Sequence, residues 1–348
     1  MFIIGGKFLI NIVYRLVAPK LLEEVYTDLN LEKGVIVRPT YLSICKADQR
    51  YYYGKRAPEV IEQKLPMALI HESVGTIVKD NTGTFDVGDN VVMIPNLPRD
   101  DDKIIGENYR ESSKFRSSSS DGFMEEYVSL TEDRLIKVPD NLNLEVASFI
   151  ELISVSVHAI TRFLKFSHKR RNAIAVWGDG SFGYITALCL KIMFPDSEII
   201  VVGLHLEKLS MFTFADRTYL ASEMPEDINI DHAFECVGTA SANDAINQII
   251  ETINPEGTVS LLGVSEHNIS MNTRKILEKG LRIFGTNRST REDFKTVIDL
   301  LVDNEDMVHY LESLITEVVE VNTLKDIHYA FELDKNLRFG KTIMRWEI

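Results

Sequence analysis

The sequence has few cysteines, an excess of acidic over basic residues, and no long apolar run. Only Cys45, Cys189 and Cys236 occur among 348 residues, an odd number too small for a disulfide framework, which favours a cytoplasmic location. Acidic residues outnumber basic ones by 52 to 38, so the net charge of −14 excludes a non-specific nucleic-acid binder. No apolar run reaches the about 20 residues of a transmembrane helix.

The first residues, MFIIGGKFLINIVYRLVAPK, are apolar but lack the features of a secretion signal. They include no basic leading region, Lys7 and Asn11 interrupt the apolar stretch, and no small-residue cleavage site follows. We therefore predict a first strand around Ile12–Val17, preceded by a short dispensable extension.

Two patterns divide the chain, whose 348 residues predict two domains at about 150 residues each. Residues 31–150 contain short strands and turns, which predict a β-rich, barrel-like domain. Within them, the polar stretch from Pro98 to Ser120 predicts a surface loop. From Glu145 onward, buried strands alternate with helices, which predicts a parallel sheet covered on both faces. Residues 291–348 add a helix, a strand, a return helix and a final strand.

A glycine-rich string follows the strand predicted at Ala173–Trp177 and opens the helix predicted at Tyr184–Met193. The string consists of Gly178, Asp179, Gly180, Ser181, Phe182 and Gly183. In a dinucleotide-binding turn, the first glycine allows the tight turn, the second lets the backbone approach the pyrophosphate, and the third lets helix and strand pack closely. The helix N-terminus would then meet the phosphates. The alternative is a strand–helix turn that binds nothing.

The end of the next strand predicts NADP(H) rather than NAD. NAD-selective sites carry Asp or Glu about 20 residues after the string, where the acid holds the ribose hydroxyls. This chain has Gly203 there, which does not repel a 2′-phosphate, and His205 and Lys208 follow it. The alternative is that Glu207 takes the role of the acid and the site binds NAD.

Cys45, the adjacent pair His71 and Glu72, and Glu151 are candidate metal ligands. A thiolate, an imidazole and carboxylates around one centre suit Zn²⁺. Their spacing matches neither a zinc finger nor a His-Glu-x-x-His helix. Taken singly, Cys45 and His71 are more often buried structural residues than ligands.

The order of these motifs resembles the zinc-dependent medium-chain alcohol and polyol dehydrogenases, over nearly the whole chain. Within that family, several runs resemble the ribulose-5-phosphate reductases of teichoic acid biosynthesis. These runs are YLSICKADQRYYYGKR, LPMALIHESVG, DGFMEEYVSL, ELISVSVHA, IDHAFECVG, LLGVSE and LEKGL. The resemblance implies an α/β fold in which a GroES-like β-rich catalytic domain, residues 1–150 and 289–348, receives a Rossmann doubly wound parallel sheet, residues 151–288, as an insertion.

The resemblance also implies roles for individual residues. Cys45, His71, Glu72 and Glu151 would bind one catalytic Zn²⁺, with water able to replace either glutamate. Asp48 would orient the site through hydrogen bonds.

Three departures from the family pattern stand out. The usual Ser or Thr that relays a proton is Ala47, so the relay must use metal-bound water or a nearby side chain such as Tyr51. The usual glycine before His-Glu is Ile70, which alters local packing. Residues 90–120 contain no cysteine, so we predict no structural zinc.

A sugar phosphate carries about two negative charges at neutral pH and needs fixed cations around it. The candidate phosphate contacts are Arg50, Lys55, Arg56, Arg116 and Arg288. Each of them singly is at least as well explained as solvated surface charge.

The resemblance implies that Zn²⁺ polarises the ketone of D-ribulose 5-phosphate and NADPH delivers hydride, giving D-ribitol 5-phosphate for CDP-ribitol and a surface polymer such as wall teichoic acid. One alternative is an NAD-dependent polyol or alcohol dehydrogenase acting on an uncharged substrate. Another is a non-catalytic nucleotide-binding sensor. The expected partners are a second copy of the chain, as a dimer, and a ribitol-5-phosphate cytidylyltransferase, with no nucleic acid or membrane.

Overall fold

The computed structural model describes residues 3–4, 7–266 and 268–348. They form two compact units, the first up to Glu151 and again from Ser289, the second Leu152–Arg288. The first long strand runs over Phe8–Ala18, so it begins earlier than predicted. The predicted N-terminal extension falls partly outside the described residues.

In chain order, the strands are β1 Ile3–Ile4, β2 Phe8–Ala18, β3 Leu21–Asn30, β4 Val35–Ser43, β5 Met67–Ala68, β6 Glu72–Asp80, β7 Asn90–Met93, β8 Asn96–Leu97, β9 Lys114–Phe115, β10 Val128–Leu130, β11 Leu135–Lys137, β12 Ala173–Trp177, β13 Glu198–Gly203, β14 Arg217–Leu220, β15 His232–Glu235, β16 Thr258–Leu261, β17 Arg282–Gly285, β18 Ile315–Val321 and β19 Lys341–Trp346. The α-helices are α1 Lys46–Tyr52, α2 Pro58–Lys64, α3 Leu144–Ala147, α4 Ile150–Phe166, α5 Ser181–Met193, α6 Leu206–Leu209, α7 Ala242–Thr252, α8 Thr273–Lys279, α9 Arg291–Asp303, α10 Glu305–Glu312 and α11 Leu324–Asn336.

The larger sheet of the first unit joins both of its sequence segments. Its strand order is β11-β7-β6-β4-β19-β18, with β10 also paired to β4. The late strand β19 pairs antiparallel with β4, where Ile343 lies opposite Ser43, and β6 pairs with β4 on its other side, where Glu72 lies opposite Ser43. Residues distant along the chain therefore meet at one end of β4.

Apolar residues, most of them branched or aromatic, line the core of this unit, as the β-rich pattern predicts. Its buried side chains include Val35, Val37, Leu42, Ile77, Val91, Met344 and Trp346. The smaller sheet, β1-β2-β3 with β5 on β2, contributes Val13 and Leu16 to the same core.

The polar stretch before residue 120 is only partly the surface loop that its composition predicts. Residues Lys114–Phe115 form β9, which pairs with β8, and the side chains of Phe115 and Ser117 are buried. The prediction is wrong at this end because composition does not show that a buried carboxylate, Asp48, accepts a hydrogen bond from Ser117.

The second unit is a six-stranded parallel sheet in the order β14-β13-β12-β15-β16-β17. From β12 the chain adds β13 and β14 on one side, then crosses back to add β15, β16 and β17 on the other. This is the doubly wound Rossmann order, which places ligands outside the carboxyl ends of the strands where the order reverses. Gly178 and Cys236 directly follow the two strands that flank this point, β12 and β15.

Some elements of the structure were not expected from the sequence. Strand β14 and helix α10 were not predicted, and α5 begins at Ser181 rather than at Tyr184. Among the described residues, no helix combines the length and apolar character needed to span a membrane.

Candidate active site

Cys45, His71 and Glu72 converge in the first unit. Each offers one ligand atom, and these atoms all lie within 4.8 Å of one another. Cys45 directly precedes α1, His71 lies between β5 and β6, and Glu72 begins β6. The end of β4 and the start of β6 are adjacent in the sheet, which brings the thiol next to the imidazole–carboxylate pair.

Asp48 holds His71 in a defined orientation. Its Oδ2 lies 3.4 Å from His71 Nδ1, and its Oδ1 accepts hydrogen bonds from Ser117 Oγ at 2.5 Å and from the Ile70 backbone N–H at 3.0 Å. Burial alone would raise the pKa of Asp48, but His71 and these donors outweigh it and lower the pKa. An ionised Asp48 facing Nδ1 leaves Nε2 of His71 as the nitrogen available to a ligand.

Glu72 is held by a buried lysine that sequence reasoning missed. Lys341 Nζ donates to Glu72 Oε2 at 2.6 Å and to the Ile44 carbonyl oxygen at 3.0 Å. The side chains of Lys341 and Glu72 are 4% and 0% exposed, so both charges are removed from water. Lys341 begins β19, and no local pattern in the sequence distinguishes it from a surface lysine.

Glu151 lies beside this group, in the first turn of α4. Its Oε2 is 4.0 Å from His71 Nε2. Burial raises the pKa of Glu151 to about 7, with a further contribution from the charge of Glu72 and opposition from His71. The carboxyl therefore faces the nitrogen of His71 that Asp48 does not engage.

The backbone conformation at Ile70 explains why the family usually has a glycine before His-Glu. Its φ is +71°, in the left-handed region that costs a β-branched residue about 1–3 kcal/mol. The backbone holds this conformation because the Ile70 N–H donates to Asp48 and its carbonyl oxygen accepts from the N–H of Phe123. Backbone strain is thus present directly next to His71.

The glycine string of the second unit has the geometry of a phosphate-binding turn. Gly178 has a φ of +135°, and a Cβ there would lie 3.1 Å from Cys236 at the end of the neighbouring strand. A Cβ on Gly183 would overlap the Gly178 carbonyl oxygen, whereas one on Gly180 would have no neighbour within 4 Å. Gly178 and Gly183 are therefore required by the fold, and Gly180 leaves open space. Ser181 and Phe182 form the first turn of α5.

Two family profiles match most of the chain. One, "Alcohol dehydrogenase GroES-like domain", matches residues 32–140, and the other, "Zinc-binding dehydrogenase", matches residues 205–303. The chain belongs to the zinc-binding alcohol dehydrogenase family. This confirms the family and the fold that the sequence motifs indicate.

This zinc-binding dehydrogenase is similar to its relatives along nearly its whole length. It is 48% identical to a ribulose-5-phosphate reductase of Bacillus spizizenii, over 98% of this chain and 100% of the relative. It is 48% identical to ribulose-5-phosphate reductase 1 of Staphylococcus aureus, over 97% and 99%. The crystal structure of S. aureus TarJ in complex with NADPH matches with a TM-score of 0.88 and 43% identity, over 98% of this chain and 100% of that one.

The residues of this zinc-binding dehydrogenase fit a zinc ion. Sulfur, nitrogen and oxygen atoms stand close together, a donor set that Zn²⁺ accepts. Glu72 Oε1 is buried and has no hydrogen-bond partner among the described residues, which is costly unless a cation compensates it. Burial, reinforced by the charge of Glu72, raises the pKa of the Cys45 thiol, so thiolate formation also calls for a cation.

The structure places the five candidate phosphate contacts in different surroundings. Arg116 is already engaged: its Nη1 lies 3.3 Å from Glu125 Oε1 and donates to the Asp121 carbonyl oxygen at 3.2 Å. The Arg56 guanidinium lies 5.1 Å from the centre of the Tyr51 ring, which is buried in the core. The remaining three are partly exposed Arg50 and exposed Lys55 in the first unit, and partly exposed Arg288, with a φ of +57°, in the second.

The turn after β13 contains the residues predicted to select NADP(H). Gly203 ends β13, and His205 and Lys208 follow it, as does Glu207, which is exposed. In the structure both basic side chains lie against Asp179 of the glycine string, a contact that the motif does not predict.

Proposed function

We propose that this zinc-binding dehydrogenase reduces D-ribulose 5-phosphate to D-ribitol 5-phosphate with NADPH. The observation that carries the proposal is the convergence of Cys45, His71 and Glu72, with a buried carboxylate oxygen left unpartnered, in a chain 48% identical to ribulose-5-phosphate reductases. When bound, NADPH would supply the hydride that reduces the ketone carbon, and one proton would complete the alcohol.

Cys45, His71, Glu72 and Glu151 are the residues that would hold Zn²⁺. When bound, the ion acts as a Lewis acid toward the carbonyl oxygen of the substrate. Asp48 keeps Nε2 of His71 directed to the ligand side, and the Lys341 ammonium keeps one oxygen of Glu72 occupied so that the other faces the site.

The glycine string would hold the cofactor. Gly180 leaves room for a pyrophosphate next to the backbone, at the N-terminus of α5, whose N–H groups favour an anion. The turn with Gly203, His205 and Lys208 would receive the 2′-phosphate. Support for NADPH comes from this turn and from the NADPH complex of TarJ.

The test combines metal analysis with a cofactor assay. Purified protein is expected to contain one zinc per chain and to oxidise NADPH, followed at 340 nm as in any nicotinamide assay, with ribulose 5-phosphate. Cys45→Ser should lose zinc and activity together, whereas Cys189→Ala, at a buried cysteine in the second unit, should keep both. Full activity in zinc-free Cys45→Ser protein would contradict the proposal.

The phosphate of the substrate provides a second test. Substitution of Arg50, Lys55, Arg56, Arg116 or Arg288 by methionine should raise KM for ribulose 5-phosphate at a phosphate contact and leave KM for unphosphorylated ribulose unchanged. An enzyme that prefers NAD and an uncharged polyol would instead support the polyol dehydrogenase alternative.

We further propose that the enzyme acts in the cytoplasm as a homodimer, in complex with a ribitol-5-phosphate cytidylyltransferase that consumes its product. The three free thiols support the reducing location, and the resemblance supports the complex. Light scattering after size-exclusion chromatography, with and without the cytidylyltransferase, tests both assemblies.

A further inference from the structure

The carboxylate of Asp179 organises the turn that follows β13. Its Oδ2 accepts hydrogen bonds from the backbone N–H groups of Leu204 at 2.7 Å and His205 at 2.8 Å. The same oxygen lies 2.9 Å from His205 Nδ1, and Oδ1 lies 3.7 Å from Lys208 Nζ. One side chain from the glycine string therefore contacts both basic residues of the turn.

Asp179 also accounts for the glycine at the end of β13. A Cβ on Gly203 would lie 2.6 Å from Asp179 Cβ and 2.8 Å from its Oδ2, distances that real side chains do not adopt. The carboxylate thus occupies the space in which an NAD-selective site would place its own Asp or Glu. Here the acid approaches from the glycine string instead of from the strand.

The bonds of this carboxylate are directed at the turn. Burial would raise the pKa of Asp179, but His205, the two backbone N–H groups and Lys208 together lower it, so the group is ionised. Its side chain is only 13% exposed, whereas that of His205 is 47% exposed. With Nδ1 of His205 against the carboxylate, Nε2 faces away from it and is free to meet an anion.

We infer that Asp179 is a positioning residue for cofactor selectivity, which holds His205 and Lys208 where they contact the 2′-phosphate of NADPH. The inference rests on the proposed function, in which NADPH is the cofactor. Lys208 can serve both anions because an ammonium group has three donors. When both of its ring nitrogens carry a proton, His205 can donate from one to Asp179 and from the other to the phosphate.

The experiment measures the dissociation constants of NADPH and NADH, and of the fragments 2′,5′-ADP and 5′-AMP, by titration calorimetry. Asp179→Asn keeps an oxygen for the backbone N–H groups but removes the charge that positions the basic side chains. It should raise the dissociation constants of NADPH and 2′,5′-ADP by about tenfold, which is the effect of one charge-assisted hydrogen bond. The dissociation constants of NADH and 5′-AMP should change by less than about twofold.

Asp216→Asn is the matched control. Asp216 also accepts a backbone N–H, from Ile199, and pairs with Lys191 at 2.7 Å, but it lies at the amino end of β13. It should leave all four dissociation constants unchanged. In a His205→Ala background, Asp179→Asn should weaken NADPH binding less than it does in the wild type, because only the part of its effect that acts through Lys208 remains.

Four outcomes would overturn the inference. Equal weakening of NADPH and NADH would assign Asp179 a role in the fold of the turn alone. Tighter binding of NADPH by Asp179→Asn would make the carboxylate a repulsive element. If the wild-type protein bound NADH as tightly as NADPH, the NADPH preference in the proposed function would be wrong, and the inference would fail with it. If the wild-type preference for NADPH survived in Asp179→Asn, only the inference would be rejected.

Discussion

Replacing Lys341 by methionine should destabilise the protein far more than an ordinary lysine substitution. Lys341 and Glu72 form a 2.6 Å ion pair in which both side chains are at most 4% exposed. Methionine has a similar length but no charge, so it leaves the carboxylate of Glu72 buried and uncompensated.

The size of the effect follows from that uncompensated charge. Removing one partner of a buried ion pair costs about 3–5 kcal/mol of unfolding free energy, whereas an exposed pair contributes about 0–1 kcal/mol. Lys20, whose pair with Glu332 is 51% and 43% exposed, provides the contrast. Zinc bound at the proposed site would supply positive charge next to Glu72, so the loss should be smaller in the zinc-loaded protein.

The assay is guanidinium denaturation of wild type, Lys341→Met and Lys20→Met, each with zinc and with a chelator. We expect Lys341→Met to lose about 3–5 kcal/mol in chelator and clearly less in zinc, and Lys20→Met to lose at most about 1 kcal/mol. Adding Glu72→Gln to Lys341→Met should recover much of the loss, since it removes the buried charge.

Two results would refute this reasoning. If Lys341→Met were no less stable than Lys20→Met, the lysine would not be compensating a buried carboxylate. If the loss in Lys341→Met were the same with zinc and with chelator, Glu72 would not face the metal.

Three further predictions test other parts of the structure. Ser117→Ala removes a donor to Asp48 and should weaken zinc binding by about tenfold, measured by chelator competition. Gly180→Ala should weaken NADPH binding without changing stability, whereas Gly183→Ala should lower the unfolding free energy by about 1–3 kcal/mol. Burial, with a contribution from a nearby aspartate, raises the pKa of Glu125 to about 7. Since its pKa in the folded protein lies above its value in the unfolded chain, folding favours the protonated form of Glu125. Relative to Glu125→Gln, the unfolding free energy of the wild type should therefore fall by about 3 kcal/mol between pH 4.5 and 7. A difference in unfolding free energy that does not change with pH would contradict the assignment.

The parts of the fold that were predictable are those with a local pattern. Strand β12 coincides with the predicted Ala173–Trp177 because five consecutive buried residues precede a glycine string. Helix α5 begins three residues earlier than predicted because Ser181 and Phe182 carry no apolar repeat, although the glycine before them marks the start. Cys45, His71 and Glu72 were predicted to form one site from the family motifs and not from hydrophobic periodicity.

The residues that were missed act across large sequence separations. Lys341 is 269 positions from Glu72, and Ser117 is 69 positions from Asp48. In the sequence alone, a lysine in a late strand and a serine in a polar run are indistinguishable from ordinary surface residues. Their buried contacts depend on the pairing of the strands and on the burial of the loop. Asp179 was visible within the glycine motif, but its contact with His205 depends on the backbone after β13.

The position of β19 beside β4 has a consequence for how the molecule is made. A ribosome completes the whole second unit, Leu152–Arg288, before it synthesises the strand that carries Lys341. The parallel sheet has its own core and can fold first, whereas the pairing of the late strand closes a very long loop and forms slowly. A nascent chain therefore carries the thiol and imidazole before their surroundings are complete, and zinc loading is expected to follow synthesis rather than accompany it.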